Sequence, residues 1–424
     1  MRLTLLVMSV FHQALRRNIK QDTASALRRW WASHGTMVLR LAVPLMAVAA
    51  VIWLGYEFWR LLWQATPIWK SSPVGAVDLR ILHEWVRGWF AGRPLYWEQK
   101  GVTYPPATYV ILWPLLGWLE VTPARWVWAA TSAVALLWLV YLIVRESGAS
   151  TRLERVFVAL LPLSMYATGA TVGNGQLIVH LLPALVAGLV LLRRERRGWR
   201  TELLGAALVL FSLVKPSVSI PFFWVVSFVP GTLRPALLVS LGYIALTLLA
   251  ASFQDSSLLM LLSGWLEHVS KKAVGQKYAY ANLHTWLANF GLEEWNLPAS
   301  ILVLAFLGTW TYCYRHAELW LLVGVTALVA RFWTYHAWYD DLLILLPMVT
   351  LFRIAKRSAL ADGGDVAAGV LLAITTLVML APGGLYLLPL PWKTVYVAGQ
   401  IPDWILVLVF LLDRARRELK TEIA

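Results

Sequence analysis

The residues with chemical potential in this chain are few, and they recur in short clusters between long apolar stretches. Asp78, Arg80, His83 and Glu84 sit close together, and Tyr104-Pro105-Pro106 follows. Further on come Asn174-Gly175-Gln176, Lys215-Pro216, Asn282 with His284, and then Tyr335, His336, Tyr339, Asp340 and Asp341. In an apolar setting ionisable groups are costly and usually line a site or a water-filled cavity. A carboxylate in such a set can accept a proton, and cations or amides can stabilise developing negative charge. Each cluster also has a plainer reading. Asp78 is a favoured N-cap for a helix over Leu79–Phe90. Lys215 can reach headgroups, His336 can sit at a membrane interface, and Asn174 and Gln176 can satisfy backbone in a tight turn.

Spacing narrows the chemistry. Adjacent residues on a helix point about 100° apart, so Asp340 and Asp341 are poor joint metal ligands. One is expected to face a cavity and the other the interface. Asp78 and Glu84 lie beyond the three-or-four spacing of a shared helical face, which disfavours a paired-carboxylate retaining mechanism. The sequence has no phosphate-cradling glycine loop, zinc-ligand spacing or nucleophile elbow, so neither a metal nor a cofactor is indicated. The single cysteine, Cys313, allows no disulfide within one chain.

The elements that must position these residues are membrane helices. The 424 residues are 59% hydrophobic and 14% charged, with a mean hydropathy of +0.64. Soluble domains average about 45–50% apolar and about 25% charged. The excess lies in blocks such as Leu41–Tyr56, Trp126–Val144, Ala236–Ala251 and Val366–Ala381. Each approaches the roughly 20 apolar residues that span a bilayer as a helix. Many aromatics stand at block ends, among them Trp59, Trp63, Trp118, Trp265 and Trp333, as an interfacial belt requires.

The net charge of +14 does not mark a nucleic-acid partner. Seven basic residues fall in 1–40, five in Arg193–Arg200, three in Arg353–Arg357 and four in Arg414–Lys420. That is the positive-inside bias of a membrane protein. The run Leu3–Phe11 is short and lacks a small-residue cleavage site, so a basic lead-in on the inner leaflet is expected rather than a cleaved signal.

Placing the basic segments inside predicts an all-α polytopic protein. It comprises a cytoplasmic lead-in (1–40), a transmembrane domain (41–412) of about 12–13 helices and a cytoplasmic tail (413–424). Outer loops fall at 64–103 and 253–296, the second carrying an amphipathic juxtamembrane helix over Ser256–Val269. A hairpin over 156–192 turns outside at Thr171–Gln176, and a second, over 203–230, puts Lys215-Pro216 outside. Every polar cluster then lies on one face. Residues 105–119 resist this scheme: they are apolar enough to cross, yet crossing there would put Arg193–Arg200 outside. Pro105, Pro106 and Pro114 shorten or bend any helix there. Either this segment is re-entrant or incomplete, or the hairpin at 156–192 is miscounted.

In this order the clusters resemble glycosyltransferase family 87. Asp78-Leu79 followed by Gly92 and Leu95-Tyr96 is similar to that family's Asp-Leu … Gly-x-x-Leu-Tyr stretch. Tyr104-Pro105-Pro106 followed by Pro114-Leu115 is similar to its Tyr-Pro-Pro … Pro-Leu segment, and Asn174-Gly175-Gln176 and Lys215-Pro216 continue the pattern. His284 stands where an Asn-x-Ser segment has its third residue, and Ile81 and Leu82 stand where an aromatic is expected. The resemblance implies a C-type superfold in a bacterial inner membrane. It implies inverting transfer of a sugar, mannose by default, from a polyprenyl-phosphate donor to an acceptor hydroxyl on the extracytoplasmic face. Asp78 is then the general base, with Arg80, Lys215 and His336 meeting the charge on the leaving phosphate. His83, Tyr104, Asn174, Gln176, Asn282, His284, Tyr335 and Asp341 are the expected donor and acceptor contacts. Membrane lipids and a glycolipid or glycan acceptor are the expected partners. A lipid-linked glycan polymerase or ligase, and a transporter or flippase, stay open as other classes.

Overall fold

The computed structural model describes residues 37–63, 74–99, 101–193, 198–228, 231, 233–271, 282–357, 364–389 and 391–423. The lead-in before residue 37 and most of Lys271–His284 fall outside these. Among the described residues the protein is helical throughout, with one isolated bridge between Met165 and Leu380.

The helices run between two chemically different ends. At one, Arg353 and Arg357 pair with Glu318, Arg353 also reaches the Glu146 carbonyl, Arg193 donates to the Ala317 carbonyl at 3.3 Å, and Lys356 meets Glu154 at 2.7 Å. This is the basic end. From it α1 (Met37–Trp63) leads to the opposite end and a cap of α2 (Val77–Phe90), α3 (Leu95–Glu98) and α4 (Pro106–Leu116). The helix α5 (Val121–Glu146) returns; α6 (Arg152–Ser164) and α7 (Tyr166–Asn174) together lead back, and α8 (Ile178–Leu192) returns again. The alternation continues through α9 (Trp199–Ser212), α10 (Pro216–Phe228) and α11 (Leu233–Ala251). At the far end lie α12 (Leu258–Lys271) and α13 (Leu283–Asn289). Then α14 (Asn296–Cys313), α15 (Leu319–Phe332), α16 (Leu345–Lys356), α17 (Gly364–Met379), the short α18 (Gly384–Leu387) and α19 (Trp392–Ile423) complete the bundle.

Helix length follows surroundings. Among the described residues, five helices are long and apolar enough to cross a membrane by themselves: α1, α5, α11, α14 with its 3-10 lead-in, and α19. All show much exposed apolar surface, such as Val51, Leu137, Leu241, Phe306 and Val409. By contrast α8 and α15 are buried along almost their whole length. A helix wrapped by other helices need not match the hydrocarbon thickness, because protein rather than lipid satisfies it.

The segment 105–119 is an incomplete span. Thr108 Oγ1 donates to the Val214 carbonyl at 2.7 Å, His83 Nε2 lies 2.8 Å from the Leu119 carbonyl, and Arg87 donates to Glu120 at 3.0 Å. Both ends of α4 are therefore tied to the same end of the bundle, and α5 makes the next pass. The hairpin at 156–192 also differs from a simple pair: its first arm breaks at Met165, and α7 meets α8 at 118°.

A separate apolar core holds the cap. Trp89 stacks on Tyr109 with centroids 4.4 Å apart and donates from Nε1 to the Ala250 carbonyl at 2.9 Å. Tyr96 OH donates to the Tyr104 carbonyl at 2.7 Å. These contacts fix the end of α2 and the residues just before α4. The amphipathic α12 packs over them, with Trp265 Nε1 donating to the Thr103 carbonyl at 2.9 Å.

Candidate active site

Under the cap lies a cavity of about 460 Å³ whose walls come from α2, the 101–104 segment, the α7–α8 turn, the α9–α10 turn, α12, α13, α14 and the segment after α15. Asp78, Tyr104, Gln176, Lys215, His284 and Tyr335 all line it. Six residues drawn from six separate stretches of sequence thus share one chamber. Much of the rest of the wall is aromatic or apolar, including Trp85, Trp265, Trp333 and Tyr339, with hydroxyls from Thr103, Ser217, Ser270, Ser300 and Thr334 among them.

Helical phase decides which members of the first cluster take part. The helix α2 starts at Val77, with Ala76 in the left-handed region at φ 61° and no side-chain cap. Asp78 is thus the second helical residue and does not serve as the N-cap. Ile81 and Trp85 share its face at the i+3 and i+7 positions and line the same chamber. Arg80 is rotated about 200° from Asp78. It is exposed and opens with His83 and Glu84 onto a different, shallow groove. His83 is buried there against the Leu119 carbonyl.

The motif Asn174-Gly175-Gln176 acts through its backbone as well as its side chains. Gly175 has φ 72°, and a Cβ on it would fall 2.5 Å from Leu79 Cβ. Ala76 N donates to the Gly173 carbonyl at 2.8 Å. The turn after α7 and the start of α2 therefore touch through backbone, which sets Gln176 beside Asp78 on the chamber wall. Gln176 Oε1 is buried with no hydrogen-bond partner among the described residues, a condition that fits a hydroxyl-bearing ligand. Asn174 faces away and accepts from Arg60 Nη2 at 3.2 Å.

The cationic side of the chamber is an ordered relay. Lys215 Nζ lies 2.5 Å from Asp340 Oδ1 and 4.9 Å from the centroid of the Tyr339 ring. Asp340 Oδ2 lies 3.1 Å from His336 Nδ1. A carboxylate only accepts, so Nδ1 carries the proton in this pair. His336 is fully buried and does not reach the chamber, and burial holds its imidazole below the ordinary range against the pull of Asp340. It touches the site through Asp340. His284 does line the chamber, its Nε2 2.7 Å from Ser300 Oγ, and desolvation brings its pKa down to about 4. Burial likewise raises the Tyr104 phenol, followed by the charges of Asp78 and Asp340.

Asn282, Asp341 and two tryptophans also depart from expectation. Asn282 caps α13, its Oδ1 accepting from Thr285 N at 2.9 Å. Asp341 turns into the core rather than to the interface: Arg331 pairs with it, and Tyr166 OH donates to it at 2.5 Å. Trp265 and Trp333 line the chamber, a role the aromatic-belt reading did not include; Trp333 Nε1 donates to the Ser217 carbonyl at 2.8 Å. The sequence pattern placed Asp340 and Tyr339 in a polar cluster without giving either a role at the site, and it passed over Ser300 and Thr334. The one signal available for Asp340 was its place beside Asp341, which says that the two diverge but not which of them turns to the cavity.

A many-pass helical bundle with a polar chamber at one end, lined by a carboxylate, a lysine, amide and phenol groups, defines a membrane-embedded enzyme or carrier of polar ligands. Glycosyltransferase family 87 matches over residues 103–341, more than half of the chain, and the chain belongs to this family and is a glycosyltransferase. The matched stretch runs from Thr103, beside Tyr104, to Asp341 and leaves α1 and α2, with Asp78, before it. Comparison with curated proteins and with solved structures gives no match.

Proposed function

We propose that the protein, a C-type glycosyltransferase of a bacterial inner membrane, transfers a sugar with inversion from a polyprenyl-phosphate donor. Its acceptor is a glycolipid or glycan hydroxyl on the extracytoplasmic side, and mannose is the sugar the family resemblance favours. The observation that carries the reading is that Asp78 and Lys215 open onto the same chamber. Asp78 takes the proton of the acceptor hydroxyl as its oxygen bonds to the anomeric carbon. The bond from that carbon to the phosphate oxygen breaks, and its electron pair leaves with polyprenyl phosphate. Lys215, held by Asp340, meets the negative charge gained by the leaving group. Tyr104, Gln176, His284 and Tyr335 are placed to contact sugar and acceptor hydroxyls. The orientation is supported by the arginine-rich opposite end, which the positive-inside bias puts in the cytoplasm.

The test is turnover of radiolabelled polyprenyl-phosphate sugars by the purified protein. Wild type is expected to consume the donor, and Asp78→Asn to lose roughly 10²–10⁴-fold while accumulating and melting like wild type. Full activity in a well-folded Asp78→Asn variant overturns the assignment.

A further inference from the structure

The chamber does not end at its polar walls. Its apolar side is built by Ile220 of α10 and by Leu297, Ile301 and Leu304 of α14. Ile301 and Leu304 also line a second cavity, an open groove between α10 and α14. The two helices run in the same direction, and their stripes continue at helical spacing. On α10 the stripe passes from Ile220 through Trp224 to Phe228; on α14 it passes from Leu304 through Gly308 to Tyr312. Trp224 and Phe228 stack with centroids 5.3 Å apart, and Phe228 meets the Tyr312 ring edge-on. Gly308 lets the Trp224 ring close onto α14 at the floor of the groove, because a Cβ there would lie 3.0 Å from that ring.

The length and character of this groove suit a chain. At 1.5 Å per residue, Leu297 and Tyr312 are roughly 22 Å apart along the helix. Ile301 is 58% exposed on an apolar, outward-facing helix, so the groove is open along its side to the hydrocarbon. Its upper mouth meets the wall formed by Lys215, Pro216 and Ser217. An occupant fitting both parts has an anionic head at Lys215 and a long, unbranched or methyl-branched hydrocarbon tail, attached without an intervening polar spacer. A two-tailed glycerolipid fits less well, since the groove is a single furrow.

We infer that the α10–α14 groove holds the isoprenoid chain of the donor and delivers its phosphate to Lys215 from the side, out of the bilayer. This rests on the lipid-linked donor reading above and assigns that donor a path and a set of contacts. The contacts are remote from the reacting atoms, so they contribute binding shared by ground and transition states, and their loss raises KM with little change in kcat.

The test compares two donors, a long-chain polyprenyl-phosphate sugar and a water-soluble analogue with only two isoprene units. Ala305→Trp and Gly308→Phe fill the groove; Ala305 is exposed, so its variant also guards against simple misfolding. Leu302→Trp, equally exposed but outside the groove, is the control. Both groove variants are expected to raise KM for the long-chain donor roughly ten-fold or more, leaving the short donor and the control unaffected. Equal loss for both donors, or the same effect in Leu302→Trp, overturns the groove assignment while the donor reading stands. Failure of wild type to consume either donor removes the donor reading and the groove with it.

Discussion

The ammonium of Lys215 and the carboxylate of Asp340 form a 2.5 Å ion pair across 125 residues of sequence, joining the α9–α10 turn to the 3-10 helix Trp338–Ile344. Asp340 is buried, and Lys215 is only 12% exposed. Removing one partner of such a pair leaves an uncompensated buried charge, a loss of up to about 3–5 kcal/mol, whereas removing both is tolerated. Lys215→Met is therefore expected to lower the melting temperature and cut turnover roughly 10²–10³-fold. In Lys215→Met/Asp340→Asn the melting temperature recovers and turnover does not. Thermal denaturation alongside donor consumption separates the two effects, and recovery of activity in the double variant would show that Lys215 only supports the fold.

The approach of Gly175 to Leu79 gives a second expectation. A left-handed backbone costs a non-glycine residue about 1–2 kcal/mol, and the added methyl must also displace the start of α2. Gly175→Ala is expected to unfold more easily and to lose activity mainly in kcat, because Asp78 moves with α2. An unchanged kcat in this variant would mean that the turn and the carboxylate are not mechanically linked.

Much of this was legible in the sequence, and the gaps have physical causes. Apolar blocks and basic turns revealed the all-α bundle and its two ends, because lipid imposes its demands directly on composition. The incomplete span α4 and the arm broken between α6 and α7 were harder to delimit, since contacts within the protein, not lipid, set their ends. Asp78, Tyr104, Gln176, Lys215, His284 and Tyr335 stood out as polar groups in apolar surroundings. That same rule also picked out Asn174, Asn282 and Asp341, because a bundle spends buried polar groups on joining its helices as well as on its site. Arg80 was separable by helical phase alone. Trp265 was not, since an indole at a membrane boundary and an indole in a chamber wall leave the same mark in a sequence.

The buried imidazole of His284 makes stability depend on pH. Desolvation lowers its pKa from 6.5 to about 4, with the charge of nearby His336 adding in the same direction. The folded state thus holds fewer protons than the unfolded chain between those values, and stability falls as pH drops through that window. His284→Gln is expected to flatten the acid side of the melting-temperature profile between pH 6.5 and about 4. A slope in that window as steep as that of wild type would assign the effect to another group.

A positioning role falls to the pair at the far end of α1. Arg60 Nη1 lies 2.5 Å from Glu57 Oε2, both side chains essentially inaccessible, and Arg60 Nη2 donates to Asn174 Oδ1. The Arg60 carbonyl lies where a Cβ on Gly75 would be, and Glu57 Oε2 where a Cβ on Gly173 would be. The side chains of the pair thus touch the segment leading to Gln176, while the Arg60 main chain touches the one leading to Asp78. Buried ion pairs add little stability over apolar residues of similar volume, so the expected consequence of Glu57→Met/Arg60→Met is a near-normal melting temperature. The site, by contrast, loses its alignment, and a misplacement on the order of 1 Å can reduce turnover about 10²-fold. The expected signature is a fall in kcat with little change in KM for the long-chain donor, because neither residue lines the α10–α14 groove. A double variant that matches wild type in both stability and kcat would show that the pair only joins α1 to α7.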